Sequence, residues 1–127
     1  MTVAEFDKKY YLHDSSIEKV DFDADLKILR LTIAFCFWMQ DWYDKREPTN
    51  GLIRVTFKEV SRFEYDDCIA DKIFADNLDG EIRSGKIGAD GSFEIFSVEY
   101  SEPEDIYYYL TISADGVEVE ELERYNL

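Results

Sequence analysis

Hydrophobic and polar residues alternate along much of this chain. Such a period of two is typical of a β-strand that buries one face and exposes the other. Residues 16–23 predict one strand, and Asp23-Ala24-Asp25 predicts the turn into the next one. A further strand opens at Asn50-Gly51. The apolar sides of the later two strands are predicted to be Leu29, Leu31, Ile33, Phe35 and Phe37, and then Ile53, Val55 and Phe57.

Asp-Gly pairs mark turns in the second half, because they readily supply the positive backbone angles of a tight hairpin. They are Asp79-Gly80, Asp90-Gly91 and Asp115-Gly116. Around the last pair, a two-residue loop pairs Ile112 with Val119, and a bulge near Glu121 brings Leu110 opposite Leu122. The sequence therefore predicts a C-terminal hairpin.

Three short segments predict helices. Thr2 and Glu5 have capping-box spacing. Trp38 and Trp42 lie one helical turn apart where the long strand ends. Asp66 or Asp67 is placed to cap a third helix that buries Ile69, Ala70, Ile73 and Phe74. The expected fold is a single domain over residues 1–127 and is mostly β (α+β), an antiparallel sheet folded over or sandwiched, with one to three short helices.

The composition is that of a globular chain that needs no disulfide or metal to hold its fold. The sequence has 127 residues, of which 46% are hydrophobic and 16% aromatic, and this length suffices for one core. Cys36 and Cys68 have apolar neighbours and no CxxC spacing, so both are predicted to be buried, with neither a disulfide framework nor a zinc site. No signal-peptide pattern opens the chain, and its longest apolar run, residues 33–39, is too short to span a bilayer. We expect a soluble cytoplasmic protein.

Negative charge narrows the choice of partners. The chain has 29 acidic and 14 basic residues, a formal net charge of −15. The electrostatic field of this charge repels nucleic acids and anionic membranes and attracts cationic partners. Residues 99–123 contain nine acids and no base. They form either a solubilising surface or an acidic face for a basic protein.

Catalytic and metal-binding motifs fail on inspection. The single histidine, His13, precedes Asp14 at a strand entry, where such a pair is typically turn-forming. Gly80-x4-Gly85-Lys86 resembles a phosphate-binding loop but is followed by Ile87 instead of Ser or Thr. Asp21-x-Asp23-x-Asp25 resembles a calcium loop but lacks its glycine and its final acid. We therefore expect no catalytic residue, no metal and no cofactor.

Aromatic residues are the remaining signal. Tyr107 and Tyr109 are predicted to face away from the side that Ile106, Leu110 and Ile112 share. Tyrosine is enriched at protein interfaces because its ring is large and stiff and carries a polar tip. A second covered sheet face explains the same pattern.

A short N-terminal pattern resembles a loose set of small, mostly uncharacterised bacterial proteins. It consists of His13-Asp14-Ser15, Ile17, the strand Leu26-Lys-Ile-Leu-Arg-Leu and Val55-Thr-Phe57-x-x-Val60. Some members are regarded as immunity proteins that neutralise polymorphic toxins. The resemblance covers the first half of the chain. It implies a mostly-β or α+β domain that acts by binding a protein, and it assigns no site residue.

The first functional hypothesis is a non-catalytic binding domain, with a toxin-neutralising role as its special case and a basic protein as partner. Its predicted contact residues are Trp42, Tyr107, Tyr109, Glu118 and Glu120. One alternative is a small hydrolase or metal-dependent enzyme that uses His13 with nearby carboxylates. Another is a structural homo-oligomer that buries the spare aromatic residues.

Overall fold

The computed structural model describes residues 1–74 and 78–127. These residues form one antiparallel sheet of eight strands with two short α-helices, which confirms the predicted mostly-β class. The helices are α1 (Val3–Lys9) and α2 (Ala70–Phe74), and short 3-10 helices cover Phe37–Met39 and Asp67–Ile69. The strands are β1 (Ser16–Asp23), β2 (Ile28–Cys36), β3 (Asn50–Lys58), β4 (Arg62–Tyr65), β5 (Gly80–Ile87), β6 (Phe93–Glu99), β7 (Ile106–Ser113) and β8 (Gly116–Tyr125).

The sheet folds over at one corner. Its strand order is β4-β7-β6-β5-β1-β2-β3-β8. In the sequence, the end strand β4 follows β3 and the end strand β8 follows β7, each after a short connection. β3 pairs with β8, and β4 pairs with β7. At the bend, the Asp115 N–H donates to the Lys58 carbonyl and the Ser61 N–H donates to the Ser113 carbonyl. Two long bent strands, β3 with β4 and β7 with β8, therefore run side by side from one half of the sheet into the other. One half consists of β1, β2, β3 and β8, and the other of β4, β5, β6 and β7.

The predicted C-terminal hairpin is wrong. Ile112 lies opposite Phe63 and Phe93, and Val119 lies opposite Val55, so β7 and β8 do not pair with each other. A register shift does occur next to Glu121, but it belongs to the ladder with β3. Asp115-Gly116 forms the corner between the two halves, so that the apolar sides of β7 and β8 meet the same core.

Only one Asp-Gly pair makes the predicted turn. Gly91, with φ +86°, lies between β5 and β6 and is the one glycine of the described chain with a positive φ. Gly80 instead begins β5, where a β-carbon would lie 1.7 Å from the hydroxyl oxygen of Tyr108. That glycine is therefore needed for a close approach of side chain to backbone.

The core lies between the two halves of the sheet, and α1 covers it at one place. Thr2 and Glu5 form the predicted capping box. Phe6 is fully buried, with its ring 6.0 Å from that of Phe57 and 5.4 Å from that of Phe93. The helix thus joins the two halves through one side chain.

The segment before α2 follows its prediction in part. Ile69 and Ile73 are buried as expected, whereas the side chain of Phe74 lies outside the described part. Asp66 precedes the 3-10 helix without capping it by its side chain. Its carboxylate accepts the backbone N–H of Tyr109 at 2.6 Å instead, which ties this segment to β7.

The two cysteines differ. Cys36 is buried as predicted, and burial raises the pKa of its thiol. The prediction for Cys68 is wrong, because this residue is exposed in the 3-10 helix that buries Ile69. Within the described ranges, no helix is both long and apolar enough to cross a membrane.

Candidate functional site

The outer sides of the two halves of the sheet differ in chemistry. The outer side of β1, β2, β3 and β8 carries two cross-strand rows of charged residues and threonines. They are Lys19-Thr32-Arg54-Glu120 and Asp21-Arg30-Thr56-Glu118. Opposite charges lie within each row, which is typical of a solvated sheet face. The outer side of β6 and β7 is instead dominated by rings.

We define the aromatic face as Phe96, Val98, Tyr107 and Tyr109. Tyr109 lies directly opposite Phe96, and Tyr107 lies opposite Val98. The Phe96 ring stacks on Tyr109 at 4.8 Å and 23°, and on Tyr107 at 6.1 Å and 21°. Tyr107 and Tyr109 remain 61% and 54% exposed, while Val98 is 1% exposed. The tyrosines are therefore held in place by neighbours and still offer most of their surface to solvent.

The backbone beneath the aromatic face is fixed from the core side. Tyr108 points inward between the two exposed tyrosines and is fully buried. Its hydroxyl has no hydrogen-bond partner among the residues that the structure describes, and burial raises the pKa of Tyr108. With the bond from the Tyr109 N–H to Asp66, this anchors β7 on both sides of its exposed rings.

A loop rich in acids leads into this face. Residues 101–105, the acidic loop, precede β7 directly. The loop is held by two hydrogen bonds: the Ser101 N–H donates to the Asp105 carboxylate at 3.2 Å, and the Ser101 hydroxyl donates to the Glu104 carbonyl at 2.6 Å. Glu102 and Glu104 are exposed, and neither forms an ion pair with the described residues. Their negative charge is therefore available to a partner.

A cation already lies at the border of the aromatic face. Arg83 on β5 donates a hydrogen bond to the hydroxyl of Tyr100, the residue that follows β6. Its guanidinium carbon lies 6.0 Å from the centre of that ring. The face is thus bounded by an internal pairing of arginine with tyrosine.

The predicted acids on β8 lie apart from the tyrosines. Glu118 accepts a hydrogen bond from Lys58 at 2.6 Å, which lowers the pKa of Glu118. Glu120 lies 3.5 Å from Arg54. Both acids are on a strand that pairs with β3 and not with β7. The structure therefore divides the acid-rich segment between two surfaces, and β3 supplies bases that offset the charge of one of them.

Trp42 also lies away from the exposed tyrosines. Its indole N–H donates to the carbonyl of Lys9 at 2.7 Å, and its ring packs edge-on against Tyr10 and Phe37. It is 37% exposed. The contacts of Trp42 hold the end of α1 against the sheet.

His13 occupies the predicted turn. The next residue, Asp14, has φ +65°, and its carboxylate lies 3.1 Å from His13 Nδ1. The imidazole also stacks on Tyr11. The neighbouring hydroxyl of Ser15 accepts the N–H of Cys36, so it is engaged in the fold. In residues 1–74 and 78–127, no three His, Cys, Asp or Glu side chains converge as a metal site. Such a convergence at His13 would have supported the enzyme alternative, which stays a prediction.

A groove beside α2 has a mostly apolar lining. It has a volume of about 460 Å³ and lies between β1 and β4 beside α2. Asp21 is the one carboxylate among its described lining residues, which otherwise include Val20, Phe22, Phe63, Tyr65 and Ile73.

Sequence reasoning did not reveal that Phe96 packs against the two tyrosines, or that Glu102 and Glu104 lie apart from the acids of β8. Residues 93–98 are apolar on both parities, which is the signal that two sides of β6 are covered. The acids were visible as part of a longer acidic run, but their separation from the acids on β8 depends on strand pairing.

Comparisons with known proteins add little. No family model matches the chain, and no curated protein matches it. A crystal structure of an uncharacterized protein from Neisseria gonorrhoeae is similar at 16% sequence identity. The match covers 87% of this chain and 93% of that one, with a TM-score of 0.39. A likeness of that size does not bear on function.

Proposed function

We propose that this protein is a non-catalytic protein-binding domain and that the aromatic face is its contact surface. The observation that carries the proposal is the exposure of Tyr107 and Tyr109 while Phe96 stacks on both rings. A side chain that is already ordered loses little rotamer entropy on binding, and tyrosine is enriched among the residues that dominate interface energies. A rigid, exposed group of rings is therefore suited to anchoring a partner.

The charge supports a basic partner. Glu102 and Glu104 stand beside the aromatic face without intramolecular ion pairs in the described chain, and the whole protein carries a net charge of −15. Attraction over this distance raises association rates and weakens with added salt. The N-terminal resemblance to immunity-type proteins makes a basic bacterial toxin the first class of partner to test.

The test compares wild-type protein with the double variant Tyr107→Ala/Tyr109→Ala in binding to a partner that is identified with the wild-type protein alone. With that partner purified, we expect the double variant to raise Kd by roughly 30-fold or more, the effect of a single strong interface residue. Tyr11→Ala serves as a control, because Tyr11 is 53% exposed and lies elsewhere. Its Kd should stay within about twofold of wild type, as for a residue outside the contact.

Charge is tested separately. Glu102→Gln/Glu104→Gln and Glu118→Gln/Glu120→Gln change the net charge equally. We expect only the first pair to slow association strongly at low salt, because Lys58 and Arg54 already offset the second pair. A cognate partner whose Kd is unchanged by loss of both tyrosines would rule out this contact surface.

A further inference from the structure

We infer that the group recognised by the aromatic face is an arginine side chain of the partner, held between the exposed tyrosine rings and the acidic loop. This inference rests on the proposed function and names the chemistry of the same site. It is carried by three features: rings without a cation, acids without an ion pair, and an internal arginine–tyrosine contact at the border.

The protein repeatedly places its own cations over aromatic rings. Lys9 Nζ lies 5.5 Å from the centre of the Tyr10 ring, and the Arg124 guanidinium lies 3.7 Å from that of Phe37. Arg83 approaches Tyr100 at the edge of the aromatic face itself. By contrast, no cation of residues 1–74 or 78–127 lies over Tyr107 or Tyr109. The negative potential of their exposed ring faces is therefore available to a cation of a partner.

The acidic loop supplies the second half of the site. Asp105 precedes Tyr107 by two residues, so the loop ends next to the rings, and its carboxylate is engaged with Ser101. Glu102 and Glu104 are the acids that remain without ion partners in the described chain. We expect a cation over Tyr107 to be within reach of Glu102 or Glu104, because the acidic loop leads directly into β7.

Arginine meets both requirements better than lysine. A guanidinium is planar, so it stacks on a ring while its N–H groups donate in pairs to a carboxylate. An ammonium is a strongly hydrated point charge and gains less from a ring surface. Arg83 combines a ring with a carboxylate within the chain, since its guanidinium approaches the Tyr100 ring and also lies 3.6 Å from the carboxylate of Glu81.

The test uses two synthetic peptides of equal length and charge, with alternating glycine and arginine or alternating glycine and lysine. Binding to the full chain is measured at low salt by the chemical shifts of backbone amides. We expect the arginine peptide to bind about three- to tenfold more tightly, with the largest shifts at β7 and the acidic loop. Tyr107→Ala/Tyr109→Ala should abolish this preference, whereas Tyr107→Phe/Tyr109→Phe, which keeps both rings, should retain it.

The outcomes separate this inference from the proposed function. Equal binding of the two peptides, weakened alike by loss of the tyrosines, would overturn the arginine preference and leave a protein-binding face. Binding that responds to Glu118→Gln/Glu120→Gln but to neither the tyrosines nor Glu102→Gln/Glu104→Gln would overturn both. Failure of the arginine peptide to bind at millimolar concentration would overturn the inference, because a desolvated arginine contact is detectable there.

Discussion

Gly80 and Tyr108 form a contact whose energy can be worked out from their geometry. A β-carbon on Gly80 would lie 1.7 Å from the Tyr108 hydroxyl oxygen and 2.8 Å from the ring carbon that bears it. Tyr108 is fully buried, so its ring has no open space into which it can turn. Gly80→Ala therefore forces a shift of the packed core, and we expect it to lower the free energy of unfolding by about 1–3 kcal/mol.

Tyr108→Phe removes the closest atom of that clash. On its own, it deletes a buried hydroxyl whose one candidate partner in the described structure is the facing hydroxyl of Ser97, so we expect a change of about 1 kcal/mol or less. In the double variant the 2.8 Å contact remains but the 1.7 Å contact is gone. The cost of Gly80→Ala should then fall by about 1 kcal/mol or more, which is the coupling energy of the pair.

The assay is urea unfolding of the wild type, both single variants and the double variant, followed by circular dichroism with a common m-value. Gly88→Ala is the matched control. A β-carbon there would lie 2.7 Å from Glu94 Oε1, but that carboxylate is the end of a flexible side chain and can move aside. The reasoning fails if Gly80→Ala costs no more than Gly88→Ala, or if Tyr108→Phe leaves the cost of Gly80→Ala unchanged.

Three further predictions concern stability. Phe6→Ala removes a fully buried ring between two others, and urea unfolding should show a loss of about 3–5 kcal/mol; a loss below about 1 kcal/mol would mean that α1 does not hold the halves together. Thr2→Ala removes the N-cap of α1 and should cost about 1 kcal/mol in the same assay, with Thr2→Ser close to wild type. Hydrogen bonds from Ser92, and to a smaller degree the contact with Arg62, lower the pKa of Asp90 from 3.8 to about 2. The stabilising effect of the Asp90 carboxylate is therefore present above pH 3.8 and is lost as the pH falls toward about 2. Asp90→Asn should therefore make the urea midpoint fall less steeply over that range, and an unchanged slope would contradict this.

β2 and β3 were predictable because the predicted side of each strand is buried. Ile53, Val55 and Phe57 are fully buried on the predicted side of β3, and β1 has its predicted bounds. The strands of the C-terminal half were harder to predict. Asp115-Gly116 has the local composition of a hairpin turn, but β8 pairs with β3 because the chain bends, and that pairing joins residues far apart in sequence. Local turn chemistry does not contain this information.

The candidate site was predictable to the same extent as the fold: the side of the strand was predictable, and the neighbouring strand was not. Strand parity correctly predicted that Tyr107 and Tyr109 face outward. It did not reveal that Phe96 stacks on both, or that Lys58 and Arg54 pair with the acids of β8. Each of these contacts crosses between strands. A single sequence shows which side of a strand a residue occupies but not which strand lies beside it.

The corner shared by the two bent strands has a consequence for biosynthesis. While the ribosome is still adding residues 106–125, β3 has only β2 beside it and lacks β8, and β4 lacks its neighbour β7. Contacts between distant segments form slowly, and unpaired strand edges invite pairing with other chains in the meantime. We therefore expect the nascent protein to be most prone to aggregation just before its last twenty or so residues emerge, and a chaperone that shields the β3 edge to matter most at that moment.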